Sequence, residues 1–218
     1  MADIFQEVDE EVRREQLKKL WDRYGLLFIA LAVLIVLGVA GYRGYQYWQA
    51  KQAAAASAQF EQAVTLSDQD KHAEAQGAFA KIAAEAPAGY RSLARLRAAQ
   101  ELAQTDRKAA VGAYDAIASD NSVGQAFQDV AALRAGILLV DTAPLDEVRR
   151  RLEPLSEPSR PFRHTAREML ALAAWRNGDT AAAKKYIDQV SNDPETPQGI
   201  RSRVEILSAL VQSGAKGS

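Results

Sequence analysis

AQGAFAKI at 75–82, AVGAYDAI at 110–117, VRRRLEPL at 148–155 and AKKYIDQV at 183–190 are four versions of one pattern. In each, Ala or Val comes first, a bulky residue stands four places on, and an aliphatic residue three beyond that. These are Ala75, Phe79 and Ile82; Ala110, Tyr114 and Ile117; Val148, Leu152 and Leu155; and Ala183, Ile187 and Val190, at successive offsets of 35, 38 and 35 residues. Steps of three and four residues place the three side chains on one face of an α-helix. A second frame runs ahead of the first: Tyr90, Leu93, Ala94, Leu96 and Ala98 return 37 residues later as Phe127, Val130, Ala131, Leu133 and Ala135, and more weakly as Met169 with Ala171. Two interlocked frames predict two helices per unit, with the small residues allowing close helix approach. Turn chemistry separates the helices at 87–89, 119–122, 142–144 and Asn177-Gly178-Asp179.

No such hairpin can cover both of its apolar faces, so the units are expected to stack. The predicted fold is all-α, an α-solenoid closed by a capping helix over 197–211, with Pro197 in its first turn and Ile200, Val204, Leu207 and Val211 on one stripe. Helical pairs of no defined repeat type are the alternative. Composition agrees: 48% of the 218 residues are hydrophobic, much of it alanine, and only 7% are aromatic, a mixture suited to close-packed helices rather than strands. The 27 basic residues are balanced by 28 acidic ones, so no global positive field gathers nucleic acid. Without cysteine and with two histidines, the chain lacks the raw material of thiolate, iron–sulfur or imidazole-based metal chemistry.

Residues 24–42, YGLLFIALAVLIVLGVAGY, contain no charge and would span roughly 28 Å as a helix, close to a hydrocarbon core. Trp21 and Tyr24 flank one end, and Tyr42, Tyr45, Tyr47 and Trp48 the other, as interfacial anchors do. The length of the stretch and the seven acids ahead of it argue against a cleaved signal peptide. Arg13, Arg14, Lys18, Lys19 and Arg23 precede the stretch, whereas only Arg43 and Lys51 follow it within 20 residues, which places the N-terminus in the cytoplasm. The expected organisation is a cytoplasmic amphipathic tail at 1–23, a transmembrane helix at 24–42 and an outward-facing repeat domain at 43–218. In the tail, Ile4, Phe5, Val8 and Val12 fall at helical spacing, continued by Leu17, Leu20, Trp21 and Tyr24, with Asp3 and Gln6 as a capping pair. Tyr45 through Phe60 lacks proline and glycine, so the anchor helix is free to run on into the first repeat helix.

A period of 34 to 38 residues with two helices per unit resembles the tetratricopeptide class, most clearly at Ala63, Ala75, Phe79 and Pro87 and again at Leu170, Ala171, Gly178, Ala183, Ile187 and Val190. Asp70 stands where that class commonly has an inter-helix glycine, and the third unit carries an insertion containing Pro144. Trp21, Tyr24 and Gly25 before the apolar stretch, Gly41, Tyr42, Tyr45 and Trp48 at its end, the degenerate repeats beyond and the helix beginning Tyr90-Arg91-Ser92-Leu93 together resemble the ancillary SecYEG translocon subunit family of the bacterial inner membrane. That resemblance implies a periplasmic repeat domain associated with the translocon, with a membrane-anchored periplasmic folding factor and with client polypeptides. A scaffold for another envelope assembly, such as division or envelope synthesis, is the competing reading.

No catalytic, cofactor or metal constellation is legible, and an enzyme is not expected: GxSxG, HExxH, a Walker loop and GxGxxG are all missing. His72 and His164 read as ordinary surface or packing residues, Asp9, Glu10 and Glu11 as a solvated helix face. Arg149, Arg150 and Arg151, interspersed with Asp146, Glu147 and Glu153, read likewise. Arg95, Arg97, Arg134 and Arg167 are the candidate binding residues, because they recur on first helices of successive units, where guanidinium forks suit the carboxylates of an acidic or C-terminal peptide. The alternative is that they straddle repeat interfaces as partly covered charges.

Overall fold

Both periodicities appear as helices in the computed structural model, which describes residues 3–214; the side chains of the tail stripe Ile4, Phe5, Val8, Val12 and Leu20, of the capping pair Asp3 and Gln6, and of Asp9, Glu10 and Glu11 lie outside the described residues. The elements are α1 (Asp3–Asp68), α2 (His72–Glu85), α3 (Ala88–Thr105), α4 (Arg107–Ala118), α5 (Gln125–Leu139), α6 (Leu145–Leu152), a 3-10 turn (Glu153–Ser156), α7 (Arg163–Arg176), α8 (Thr180–Ser191) and α9 (Gln198–Gln212). Among the described residues there is no strand. The chain divides into two compact units, Met1–Ala54 and Ala55–Ser218.

In the first unit α1 is long and apolar enough to cross a membrane, with a mean hydropathy of 2.6. Its side chains from Leu26 to Val39 are uncovered, unlike those of a core helix in a water-soluble protein. The Trp21 indole lies across Gly25, where a larger residue would crowd the ring.

In the second unit the end of α1 packs on α2 through Ala63, Phe60 and Phe79; α3 contacts α4, α5 contacts α6 and α7 contacts α8, and α9 closes the series. Every residue of the first sequence frame is buried: Ala75, Phe79 and Ile82 join Ala56, Ala63 and Ala94 in one cluster, while Val148, Leu152, Leu155, Ala183, Ile187 and Val190 join Leu170, Ala171, Val204 and Leu207 in another. Tyr114 and Ile117 bridge α4 to Ala131 and Ala135 of α5. The second frame departs from expectation at Leu93, which is 39% exposed. α6 stops at Leu152 because Pro154 cannot continue it, and Leu155 reaches the core from the 3-10 turn instead.

Local signals explain the boundaries. Asp106 and Asp179 cap α4 and α8, each accepting a backbone N–H at 2.9 Å. Pro87, Pro144 and Pro197 stand at the cap positions of α3, α6 and α9. The α7–α8 turn needs a left-handed residue, Gly178 at φ 77°, and the α1–α2 turn places Asp70 in the same region at φ 59°. Aspartate is among the few non-glycine residues that tolerate this conformation, so the turn survives without glycine.

Gly136 marks the closest approach of α5 to α6, since a Cβ there would overlap the Leu152 side chain. Gly136→Ala is expected to destabilise the domain by about 1–3 kcal/mol in urea denaturation, overpacking outweighing the gain in helix propensity. In a Leu152→Ala background, where the overlap is relieved, the same change should be neutral or stabilising.

Candidate functional site

The four arginines singled out by the repeat pattern have different fates. Arg95 of α3 donates to Asp120 at 2.5 Å in the α4–α5 connection. Asp120 also accepts the Ser122 hydroxyl at 2.6 Å and the Ser122 backbone N–H at 2.9 Å, and these bonds, the Ser122 hydroxyl first and Arg95 next, lower its pKa to about 2. Arg167 of α7 is buried: its Nε donates to the Ser156 carbonyl at 2.9 Å and its Nη1 to Asp193 at 2.9 Å. Both arginines tie repeat junctions together, and Arg167 has no free face for a ligand.

Arg97 and Arg134 behave differently. They stand 37 residues apart, at equivalent positions of α3 and α5, and neither forms an ion pair or hydrogen bond among the described residues. Tyr114, a residue of α4 buried at 3% exposure, lies within the electrostatic influence of both guanidiniums and of the Glu101 carboxylate. Burial pushes the Tyr114 phenol above its ordinary range; Arg134 opposes the shift, Glu101 adds to it and Arg97 opposes it. That hydroxyl makes no hydrogen bond among the described residues. The site therefore offers two arginines without an ion-pair partner among the described residues, in the electrostatic neighbourhood of a phenol, with partly exposed Leu93 one turn before Arg97 on α3.

Arg97 lacks a partner because the acid one turn further along α3 is engaged elsewhere. Glu101, 2% exposed, accepts the Ser67 hydroxyl at 2.7 Å on one oxygen and bonds His72 Nδ1 at 2.8 Å on the other. An i, i+4 acid–base pair on an exposed helix would neutralise Arg97; here the carboxylate turns inward to hold α1, α2 and α3 together. His72 is thus a junction residue as well as a surface one. His164, expected as surface or packing, is buried and bonded to Thr196. Within the 149–151 triplet, Arg151 forks onto Asp115 at 2.9 and 2.7 Å and Arg149 reaches Asp179 at 3.4 Å, so two of the three brace neighbouring hairpins and Arg150 alone stays solvated.

Glu101 and Tyr114 were not singled out as site residues by sequence reasoning. Tyr114 carried a signal, as a core position of the repeat frame ending in a hydroxyl. Glu101 carried none, since its partners are 34 and 29 residues away. Among the described residues no group of acidic or imidazole side chains is placed to hold a metal. The surface grooves are open: one of about 250 Å³ lies between α2 and α4 over α3, lined chiefly by alanines including Ala80, Ala98 and Ala113. It brings no catalytic groups together.

Stacked helical hairpins that present side chains from successive units define an α-helical repeat module for binding proteins. The chain belongs to the family of the tetratricopeptide repeat-like domain, whose model matches residues 18–196. No curated protein and no solved structure matches it.

In a carboxyl titration followed by NMR on the full chain in micelles, Asp120 is expected to show a midpoint near 2. Ser122→Ala should raise that midpoint more than Arg95→Ala does; the reverse order would show that the arginine dominates.

Proposed function

We propose that this protein is a membrane-anchored interaction module of the bacterial envelope, its repeat domain outside the cytoplasmic membrane, associated with the SecYEG translocon and a membrane-anchored periplasmic folding factor and assisting polypeptides in secretion or membrane insertion. Three observations support this reading. The uncovered apolar stretch of α1 has the length of a membrane span. The excess of basic residues ahead of it favours a cytoplasmic N-terminus. The family match begins at residue 18, ahead of the apolar stretch, so the matched region includes both the span and the repeats. The translocon itself enters through the resemblance of the whole arrangement.

The observation that carries the binding role is the repeat-equivalent pair Arg97 and Arg134, without ion-pair partners among the described residues and both acting electrostatically on Tyr114. Guanidinium forks and a phenolic donor suit a carboxylate, so acidic side chains or the C-terminus of an extended segment are the ligand groups we assign to this place. Arg95 supports it indirectly, by tying α3 to the connection that leads into α5.

Photocrosslinkers placed in α1 and next to Arg97 and Arg134 are expected to capture translocon subunits and emerging secretory chains. Consistent capture of division proteins instead would favour the envelope scaffold. In fluorescence anisotropy with an acidic peptide, Arg97→Glu with Arg134→Glu should weaken binding by about tenfold or more, whereas Arg150→Glu should leave it nearly unchanged. Equal effects of the two would remove the assignment. The protein should also resist extraction by alkaline carbonate.

A further inference from the structure

Arg14, Lys18, Trp21 and Gly25 follow one another on α1 at steps of four, three and four residues, which places them on one face of the helix. Helical side chains lean towards the N-terminus, so a long one ordinarily covers the turn before its own. The Trp21 indole lies over the turn after it. It comes so close to Gly25 that a Cβ there would meet the ring Cε2 at 3.2 Å and Nε1 at 3.3 Å. Gly25 is buried, whereas Gly38, Gly41 and Gly44 of the same helix have no such neighbour. Glycine weakens a helix relative to alanine, and at position 25 it makes room for the ring.

The indole is thus directed along α1 towards the apolar stretch, and the turns ahead of it are left to the two cations. Trp21 remains 60% exposed, so the outer side of the ring is open. Arg14 and Lys18 are exposed as well, and neither forms an ion pair or hydrogen bond among the described residues. Asp22, at the edge of this face, pairs with neither of them. Along the axis Lys18 stands about 5 Å and Arg14 about 10 Å further from the apolar stretch than Trp21. The headgroup layer outside a hydrocarbon core is about 5–8 Å deep, within reach of their long side chains. Lys19 and Arg23 point away from this face, and the Arg23 guanidinium lies over the Tyr24 ring at 5.7 Å. An apolar ring next to the span with two uncommitted cations just outside it follows the order of a phospholipid, acyl chain first and phosphate beyond.

We propose that this face of α1 is a binding site for an anionic phospholipid: Arg14 and Lys18 take the phosphate headgroup, and an acyl chain lies against the Trp21 indole on its Gly25 seat. Guanidinium and ammonium groups match phosphate in charge and hydrogen bonding, and basic residues beside a span draw acidic lipids. The site rests on α1 crossing a bilayer and on nothing assigned to the repeat domain or the translocon.

Trp21 itself reports occupancy. The full chain carrying Trp48→Phe and Trp175→Phe, which leave Trp21 as its one indole, is reconstituted into phosphatidylcholine bilayers. A fixed fraction of the lipid carries brominated acyl chains, which quench indole fluorescence on contact, on either phosphatidylglycerol or phosphatidylcholine. Brominated phosphatidylglycerol is expected to quench Trp21 more, at a relative affinity of about threefold or more. Arg14→Gln with Lys18→Gln should bring that ratio close to one. Lys19→Gln with Arg23→Gln, which removes the same charge from the other side of the helix, should keep most of it. Gly25→Leu should lift the ring from the helix and lower the preference although both cations remain. Equal losses in the two double variants would reveal a general attraction between a basic segment and an acidic surface and would overturn the proposal, as would a ratio of one in the parent chain. No quenching by either lipid would remove the membrane anchor along with the site, an outcome distinct from quenching without preference.

Discussion

A helical hairpin has two apolar faces and can cover only one with its own turn partner. Everything in the second unit follows from covering the other. Ala63, Ala94, Ala131 and Ala171 are wholly or almost wholly buried because they lie where helices of adjoining hairpins come closest, and larger side chains there would force the helices apart. The bulky residues, Phe79, Tyr114, Leu152 and Ile187, fill the space those alanines leave between layers. At Gly136 the approach is closer still, with the Leu152 side chain set against the bare Cα.

Polar contacts across the junctions supply what apolar contact lacks, namely direction. The ties Arg95–Asp120, Arg151–Asp115, Arg163–Asp193 and Arg203–Glu168 each join elements that are distant in sequence. Exposed pairs of this kind add little stability on their own. Where one partner is buried, as with Glu168, losing the other leaves a charge without compensation, and the contact then discriminates strongly between the right and the wrong register. Arg97 and Arg134, like Arg107 and Arg150, take no part in these ties, but only they stand at equivalent positions of two repeats.

The repeat frames were legible in the sequence because packing, which dictates residue size and spacing, leaves a periodic trace. Ala75 through Val190 could be placed on buried faces from spacing alone, as could Pro87 and Gly178 in turns. The fates of the arginines were not legible. Their identical chemistry hides whether an acid waits on the next hairpin, and Asp120 and Asp193 lie 25 and 26 residues from the arginines they bind. The periodicity did contain one further clue, the 37-residue equivalence of Arg97 and Arg134, which matters only once Glu101 is seen to face inward. Pro154 misled in a smaller way: the core position at Leu155 was read correctly, but on a helix that had already ended.

Glu101 has a consequence beyond the arginine it leaves alone. In a linear array each unit senses only its neighbours, and cooperativity is set by how strongly adjoining units are linked. One carboxylate that fastens Ser67, His72 and its own helix makes the first two hairpins a single thermodynamic block at this junction. Fraying that begins at the first hairpin must therefore carry the second with it, so that end of the array melts as a pair of units rather than one at a time.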